Sequence, residues 1–273
     1  MAELAGFEGS VGFLGAGNMA AALVRGIVRA GLPAPQVAIT DVVAERSRAL
    51  ASEVGARSLP TALEVVLSSS LVIIAVKPGA VRGLLDEVKQ QAAGRLWLSV
   101  AAGISTESLE GFLGDGARVV RAMPNTPALV GAGATALAGG RFADAADVDR
   151  AKSLLSAVGI VEVLPEAMLD AVTGLSGSGP AFLLLAIEAL ADAGVHAGLP
   201  RDVALRLAAQ TMRGTGQLAL ETGTHPAALK DTVTSPGGTT IAGLRALERA
   251  GFRAALIEAV LAATARSKEL SSS

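Results

Sequence analysis

From Ser10 to about Pro165 the chain alternates short apolar runs with longer mixed segments. The runs Ser10–Leu14, Gln36–Thr40, Leu71–Val76, Leu96–Ser99, Arg118–Ala122, Ala134–Leu137 and Ile160–Leu164 predict β-strands. Continuous apolar stretches such as Leu71-Val72-Ile73-Ile74-Ala75-Val76 suit strands covered on both faces, as in a parallel sheet. Helices are predicted between them, including Met19–Ala30 and Val43–Val54. Residues 1–165 are therefore expected to form an α/β domain with a mostly parallel sheet.

After Pro165 the pattern changes. Strand-like runs disappear, and Ala/Leu-rich helices are predicted over Pro180–Ala197, Pro200–Glu221, Thr239–Ala250 and Phe252–Leu270. These helices are apolar nearly all round; Phe182-Leu183-Leu184-Leu185-Ala186-Ile187 has no polar face before Glu188. Such helices must be buried. A helical half of this size is too small to cover them, so residues 166–273 are expected to form an all-α domain that pairs with a second copy.

Composition narrows the partners. Half of the 273 residues are apolar, but aromatics are scarce: six Phe, one Trp and no Tyr. The net charge is −2 with no basic stripe, which argues against nucleic acid and anionic membranes. With no cysteine, disulfides and thiolate chemistry are excluded, and a reducing, cytoplasmic setting is expected. Met1–Ser10 carries Glu3 and Glu8 and lacks a basic start and apolar run, so no signal peptide is expected. The uncharged stretch Ala171–Ile187 is shorter than the ~20 residues of a bilayer span and is interrupted by glycines and Pro180. No membrane segment is expected. Nor does any His/Asp/Glu cluster have the spacing of a metal site.

The chemistry starts at Gly15-Ala16-Gly17-Asn18-Met19-Ala20. This loop follows a predicted strand and opens a predicted helix, the context that makes a G-x-G-x-x-small pattern a dinucleotide site of the Rossmann type. Gly15 makes the turn, Gly17 admits the pyrophosphate, and Ala20 allows close helix–strand packing. The phosphates would sit on the free N–H groups of the helix start. Asp41, ending the next strand, lies where an acid bonds the ribose 2′-hydroxyl, which favours NADH over NADPH. Two other readings stay open: Arg46 and Arg48 pairing with a 2′-phosphate, or Asp41 capping the next helix.

Four further segments carry signals. In Ala75-Val76-Lys77-Pro78-Gly79 the proline forces a turn and presents the Val76 and Lys77 carbonyls, either to a ribose or carboxamide or merely to start a helix. In Met123-Pro124-Asn125-Thr126-Pro127 two prolines fix a rigid segment, and Asn125 can serve a nicotinamide amide or the turn itself. Thr173-Gly174-Leu175-Ser176-Gly177-Ser178-Gly179-Pro180 reads as a loop of small residues before a buried helix. Ser235-Pro236-Gly237-Gly238-Thr239-Thr240 offers backbone N–H groups and hydroxyls at a helix start, which suits a carboxylate.

In this order, and together with Ser99-Val100-Ala101-Ala102-Gly103-Ile104, the segments resemble the pyrroline-5-carboxylate reductase family from about Ser10 to Leu270. The resemblance implies NAD(P)H-dependent reduction of 1-pyrroline-5-carboxylate to L-proline, the last step of proline biosynthesis. It implies an N-terminal Rossmann domain, a C-terminal helical dimerisation domain and, in many members, a ring of five dimers. It adds Ala101 to the cofactor contacts and places the Thr173 hydroxyl near the ring nitrogen. The other expected cofactor contacts are Gly15, Ala16, Gly17, Asn18, Met19, Asp41, Val76, Lys77, Pro78 and Asn125. Substrate contacts are expected from Ser235, Gly237, Gly238, Thr239 and Thr240.

The residues also favour an imine over a ketone. Ketone reduction needs a positioned acid for the developing alkoxide. No lysine lies between Lys152 and Lys230, and His196 and His225, the only histidines, read as structural. An imine nitrogen can be protonated before hydride arrives, so positioning does most of the remaining work. The alternatives are a hydroxy-acid or ketone reductase on the same scaffold and a non-catalytic dinucleotide sensor.

Overall fold

A computed structural model describes Leu4 and residues 6–271. Part of the Met1–Ser10 segment, where no signal peptide is expected, and the last two serines of the tail lie outside these residues. The strands are β1 (Val11–Leu14), β2 (Val37–Thr40), β3 (Arg57–Ser58), β4 (Leu71–Ile74), β5 (Leu96–Ser99), β6 (Arg118–Met123), β7 (Gly133–Gly139) and β8 (Gly159–Val163). The helices are α1 (Asn18–Arg29), α2 (Ala44–Val54), α3 (Ala62–Leu67), α4 (Pro78–Val88), α5 (Thr106–Leu113), α6 (Ala145–Leu155) and α7 (Leu169–Val172). They continue as α8 (Gly179–His196), α9 (Arg201–Thr222), α10 (Pro226–Thr232), α11 (Thr239–Arg249) and α12 (Phe252–Ser271).

The chain forms two compact units. The first runs to Gly177 and includes the chain from Ala263 onward; the second is Ser178–Ala262. The first compact unit thus extends past the 165/166 boundary expected between the domains. Glu166 accepts hydrogen bonds from the Thr106 backbone and from Arg121, and Asp170 accepts from Ser267 at 2.6 Å. These side chains tie α7 and the end of α12 to the sheet-bearing unit.

The first unit holds one eight-stranded sheet in the order β3-β2-β1-β4-β5-β6-β7-β8. It is parallel except for β6–β7, where Met123 pairs with Ala136 after a return through Thr126–Val130. Alternate residues of each strand face opposite sides. Leu71 and Ile73 pack with Phe13, Leu23 and Ile27 on one side; Val72 and Ile74 pack with Trp97, Val81 and Leu85 on the other. Both faces are closed by helices, which explains the continuous apolar runs.

The second unit has a much thinner interior. Helices α8 and α9 pack through Ala191, Ala204 and Ala208, with Gly194 allowing close approach to Ala204. As the sequence predicts, one chain does not cover these helices: Leu184, Leu185 and Leu220 are all exposed. The expected loop at Thr173–Pro180 is different. Thr173–Gly177 is a π-helical turn between α7 and α8, and the helical run Glu166–His196 is long and apolar enough, by length and composition, to cross a membrane. The glycines thus do not break the segment as expected. They occupy a turn whose Thr173 and Ser176 hydroxyls donate back to the Leu169 and Val172 carbonyls.

Candidate active site

The strand order reverses between β1 and β4, and ligands of such sheets bind at the carboxyl ends of the strands flanking that point. Two of the sequence segments meet there. Gly15 follows β1 with φ +110°, and its N–H donates to Thr40 O at 2.8 Å. A Cβ on Gly15 would lie 2.6 Å from Ala75 O, so only glycine fits beneath the Ala75-Val76-Lys77 turn. Gly17 is different. It caps α1 in an extended conformation with no side-chain hydrogen bond, and a Cβ there would meet nothing within 4 Å. The protein itself does not demand glycine at this position. A pyrophosphate approaching the free N–H groups of α1 does, so the loop fits a dinucleotide. Ala20 is fully buried, as close packing requires.

Asp41 is held in place by the loop it faces. Its Oδ2 accepts from Ala16 N–H at 2.7 Å and its Oδ1 from Val43 N–H at 2.8 Å. Val43, not Asp41, is the cap of α2, so the capping reading gives way to a tie between β2 and the glycine loop. A cleft of about 490 Å³ opens beside it, lined by Gly15, Asp41, Val42, Thr61, Val76 and Glu87 among others, with no lysine, arginine or histidine. Arg46 and Arg48 are exposed and outside this lining. Helices α1 and α2 are clamped together by Arg25, whose Nε and Nη2 each lie 2.7 Å from a Glu53 oxygen and hold that carboxyl below its ordinary value.

Lys77 caps α4, with Pro78 in the first position and Ala80 N–H on the Lys77 carbonyl at 2.9 Å. Of the two carbonyls expected to face a ligand, Lys77 is thus spent on the helix start. Ala101 is buried just past β5.

Of the two uses read for Asn125, the structure shows the one that holds the turn. Asn125 is 8% exposed; its Nδ2 donates to Ser176 O at 3.0 Å and its Oδ1 accepts from Ala134 N–H at 2.9 Å. The amide therefore fastens the Thr173–Gly177 turn to β7. Met123 reaches the same turn, where a Cβ on Gly177 would come within 2.8 Å of its Cε. The Thr126–Val130 turn in turn packs on α1. Through this chain of contacts the dinucleotide helix and the Thr173 turn share one scaffold. The Thr173 hydroxyl proton is directed at Leu169 O at 2.8 Å, which leaves its oxygen lone pairs as acceptors. No sequence signal marks the half-buried Glu166 and its buried partners Arg121 and Thr106, which anchor the start of this helical run.

In the second unit, α11 opens at Thr239 with Gly238 as its cap and no acidic residue in its first turn. Gly237 has φ +67°, and the Ser235 hydroxyl lies against Gly238. Ser235, Gly237, Gly238, Thr239 and Thr240 thus form one tight turn that presents hydroxyls and first-turn N–H groups. His225 caps α10 by accepting from Ala227 N–H, a structural use.

The comparisons with known proteins agree with this arrangement. Residues 166–270 match the family described as pyrroline-5-carboxylate reductase dimerisation, and residues 10–103 match NADP oxidoreductase coenzyme F420-dependent. The pyrroline-5-carboxylate reductase of Arabidopsis thaliana is 48% identical over 265 residues, covering 96% of both chains. The solved pyrroline-5-carboxylate reductase of Coxiella burnetii superposes with a TM-score of 0.91 at 35% identity, over 96% of this chain and 98% of that one. The Plasmodium falciparum pyrroline carboxylate reductase, solved with NADP bound, gives 0.87 at 29% identity over 97% and 99%. With a dinucleotide loop at the sheet's switch point and a match to a dimerisation family later in the sequence, the chain belongs to the pyrroline-5-carboxylate reductase family.

Proposed function

We propose that the protein reduces 1-pyrroline-5-carboxylate to L-proline with NAD(P)H, the last step of proline biosynthesis. The observation that carries this reading is the likeness along almost the whole chain to pyrroline-5-carboxylate reductases, and Gly17 supports its cofactor: a side chain there would meet nothing in the protein but would crowd a pyrophosphate on the α1 N–H groups. A nicotinamide bound through that loop supplies hydride to the imine carbon. The protein's residues do the rest by holding. The Ser235 and Thr240 hydroxyls and the N–H groups at the start of α11 bind the substrate carboxylate without a cationic side chain. Thr173, with its own proton on Leu169 O, accepts from the protonated ring nitrogen and orients the iminium. Nitrogen takes its proton from water before hydride transfer, so the product is formed as a neutral amine and no general acid is required. Asn125 acts as a positioning residue for the Thr173 turn.

For the cofactor, the locked Asp41 and a cleft lined by carboxylates but no cation support NADH as the preferred form, although the Plasmodium relative binds NADP. The exposed leucines of the second unit support a homodimer, in which the apolar Glu166–His196 helix faces a second copy rather than a lipid. Assembly into a ring of five dimers rests on the family resemblance alone. The absence of cysteine supports a cytoplasmic setting, and the weak net charge supports small molecules rather than nucleic acid as ligands.

Thr240→Ala should raise KM for the imine about tenfold, as expected for a lost hydrogen bond to a charged group, and leave KM for the cofactor nearly unchanged. Equal effects on both would defeat the carboxylate assignment. Thr173→Ala should lower kcat while Thr173→Ser keeps it; full activity in the alanine variant would remove Thr173 from the mechanism.

A further inference from the structure

The cleft beside Gly15 contains a carboxylate that the reaction does not use. Glu87 lines it from α4, is exposed, and has no hydrogen bond or ion pair among the described residues. A surface glutamate on a helix commonly pairs with a cation three or four residues away. Those positions here are Gly83, Leu84, Gln90 and Gln91, while Lys89 pairs with Asp86 at 3.1 Å. The residues sharing the cleft face of α4 with Glu87 are Ala80, Gly83 and Leu84, all small or apolar. Val42 also lines the cleft and is wholly exposed, although it is a β-branched apolar residue. A cleft with apolar walls and a carboxylate at each of Asp41 and Glu87 suits a flat, apolar-faced ligand with hydrogen-bond donors at two places. Its volume falls in the range of small-molecule sites.

We propose that Glu87 is the adenine-reading residue of the cofactor site: its carboxylate accepts from the exocyclic amine of the purine, as Asp41 accepts from the ribose. This rests on the reading that the Gly15–Ala20 loop holds a nicotinamide dinucleotide. The glycine loop alone would take any dinucleotide, since it contacts only phosphates. Glu87 makes the site selective for a purine carrying a donor at the six-position, because a carbonyl there would face an unpaired carboxylate.

The test is calorimetric titration of the full-length enzyme with NADH and with reduced nicotinamide hypoxanthine dinucleotide, in which a carbonyl replaces the amine. The wild type should bind NADH about tenfold more tightly, the usual scale of one charge-assisted hydrogen bond. In Glu87→Gln, whose amide can either accept from an amine or donate to a carbonyl, the two Kd values should converge. The exposed position of Glu87 makes the substitution safe for folding. Equal affinities in the wild type, or the same ratio in wild type and variant, would overturn the assignment while leaving the dinucleotide site standing. If neither dinucleotide binds the wild type, the reading of the loop itself fails and takes this proposal with it.

Discussion

In the sheet-bearing unit Phe13, Trp97 and Leu98 are wholly buried, whereas in the helical unit Leu184, Leu185 and Leu220 are 64, 67 and 71% exposed. Both units are rich in apolar residues, so composition does not separate them. Geometry does. A sheet covered on both faces by α1, α2 and α6 and by α3, α4 and α5 closes its own core within one chain. The helical unit buries three alanines between α8 and α9 and leaves its larger side chains outward. The first unit closes its core within one chain; the second, which lies within the match to a dimerisation family, leaves its large apolar side chains uncovered.

The strongest way to break this contrast is to charge the outward leucines. Leu185→Glu combined with Leu220→Glu removes about 3–6 kcal/mol of apolar burial from a dimer interface and adds charge to it. Solution mass should fall to that of a monomer and turnover by more than tenfold, while NADH affinity should stay close to wild type, because the dinucleotide loop belongs to the other unit. An unchanged mass would mean that these leucines are not the interface. A smaller effect of the opposite kind is expected from Trp97→Ala. Its cavity should lower the stability of the sheet-bearing unit by about 3–5 kcal/mol, read from denaturant unfolding, with the folded fraction still dimeric. If Trp97→Ala changed the oligomeric state instead, the separation of roles between the units would be lost.

Much of this was legible in the sequence where signals are local. The run Leu71–Val76, the glycine loop and the Ala/Leu-rich helices declare themselves through periodicity and turn chemistry; the structure has a strand in that run, ending at Ile74, and helices over the Ala/Leu-rich segments. The parts that were not legible depend on contacts far apart in the chain. The turn at Thr173–Gly177 reads as a loop because its glycines are visible, while the hydroxyl bonds to Leu169 and Val172 and the tie from Asn125, 51 residues away, are not. The extension of the first compact unit past Pro165 has the same cause: Glu166 and Asp170 look like ordinary surface acids until Arg121, Thr106 and Ser267 meet them. Strand β3, two polar residues long, and α10, hidden behind Thr224-His225-Pro226, are too short or too turn-like for any periodic signal. Asn125 offers two uses in the sequence, and its neighbours in space show the turn taking one N–H and one lone pair of its amide.

The most direct measurement is NADH and NADPH oxidation by the purified protein with 1-pyrroline-5-carboxylate, set against a panel of 2-keto acids. The account predicts turnover with the cyclic imine, little or none with the keto acids, and a higher kcat/KM for NADH than for NADPH. Turnover with a keto acid alone, or with no substrate at all, would contradict it.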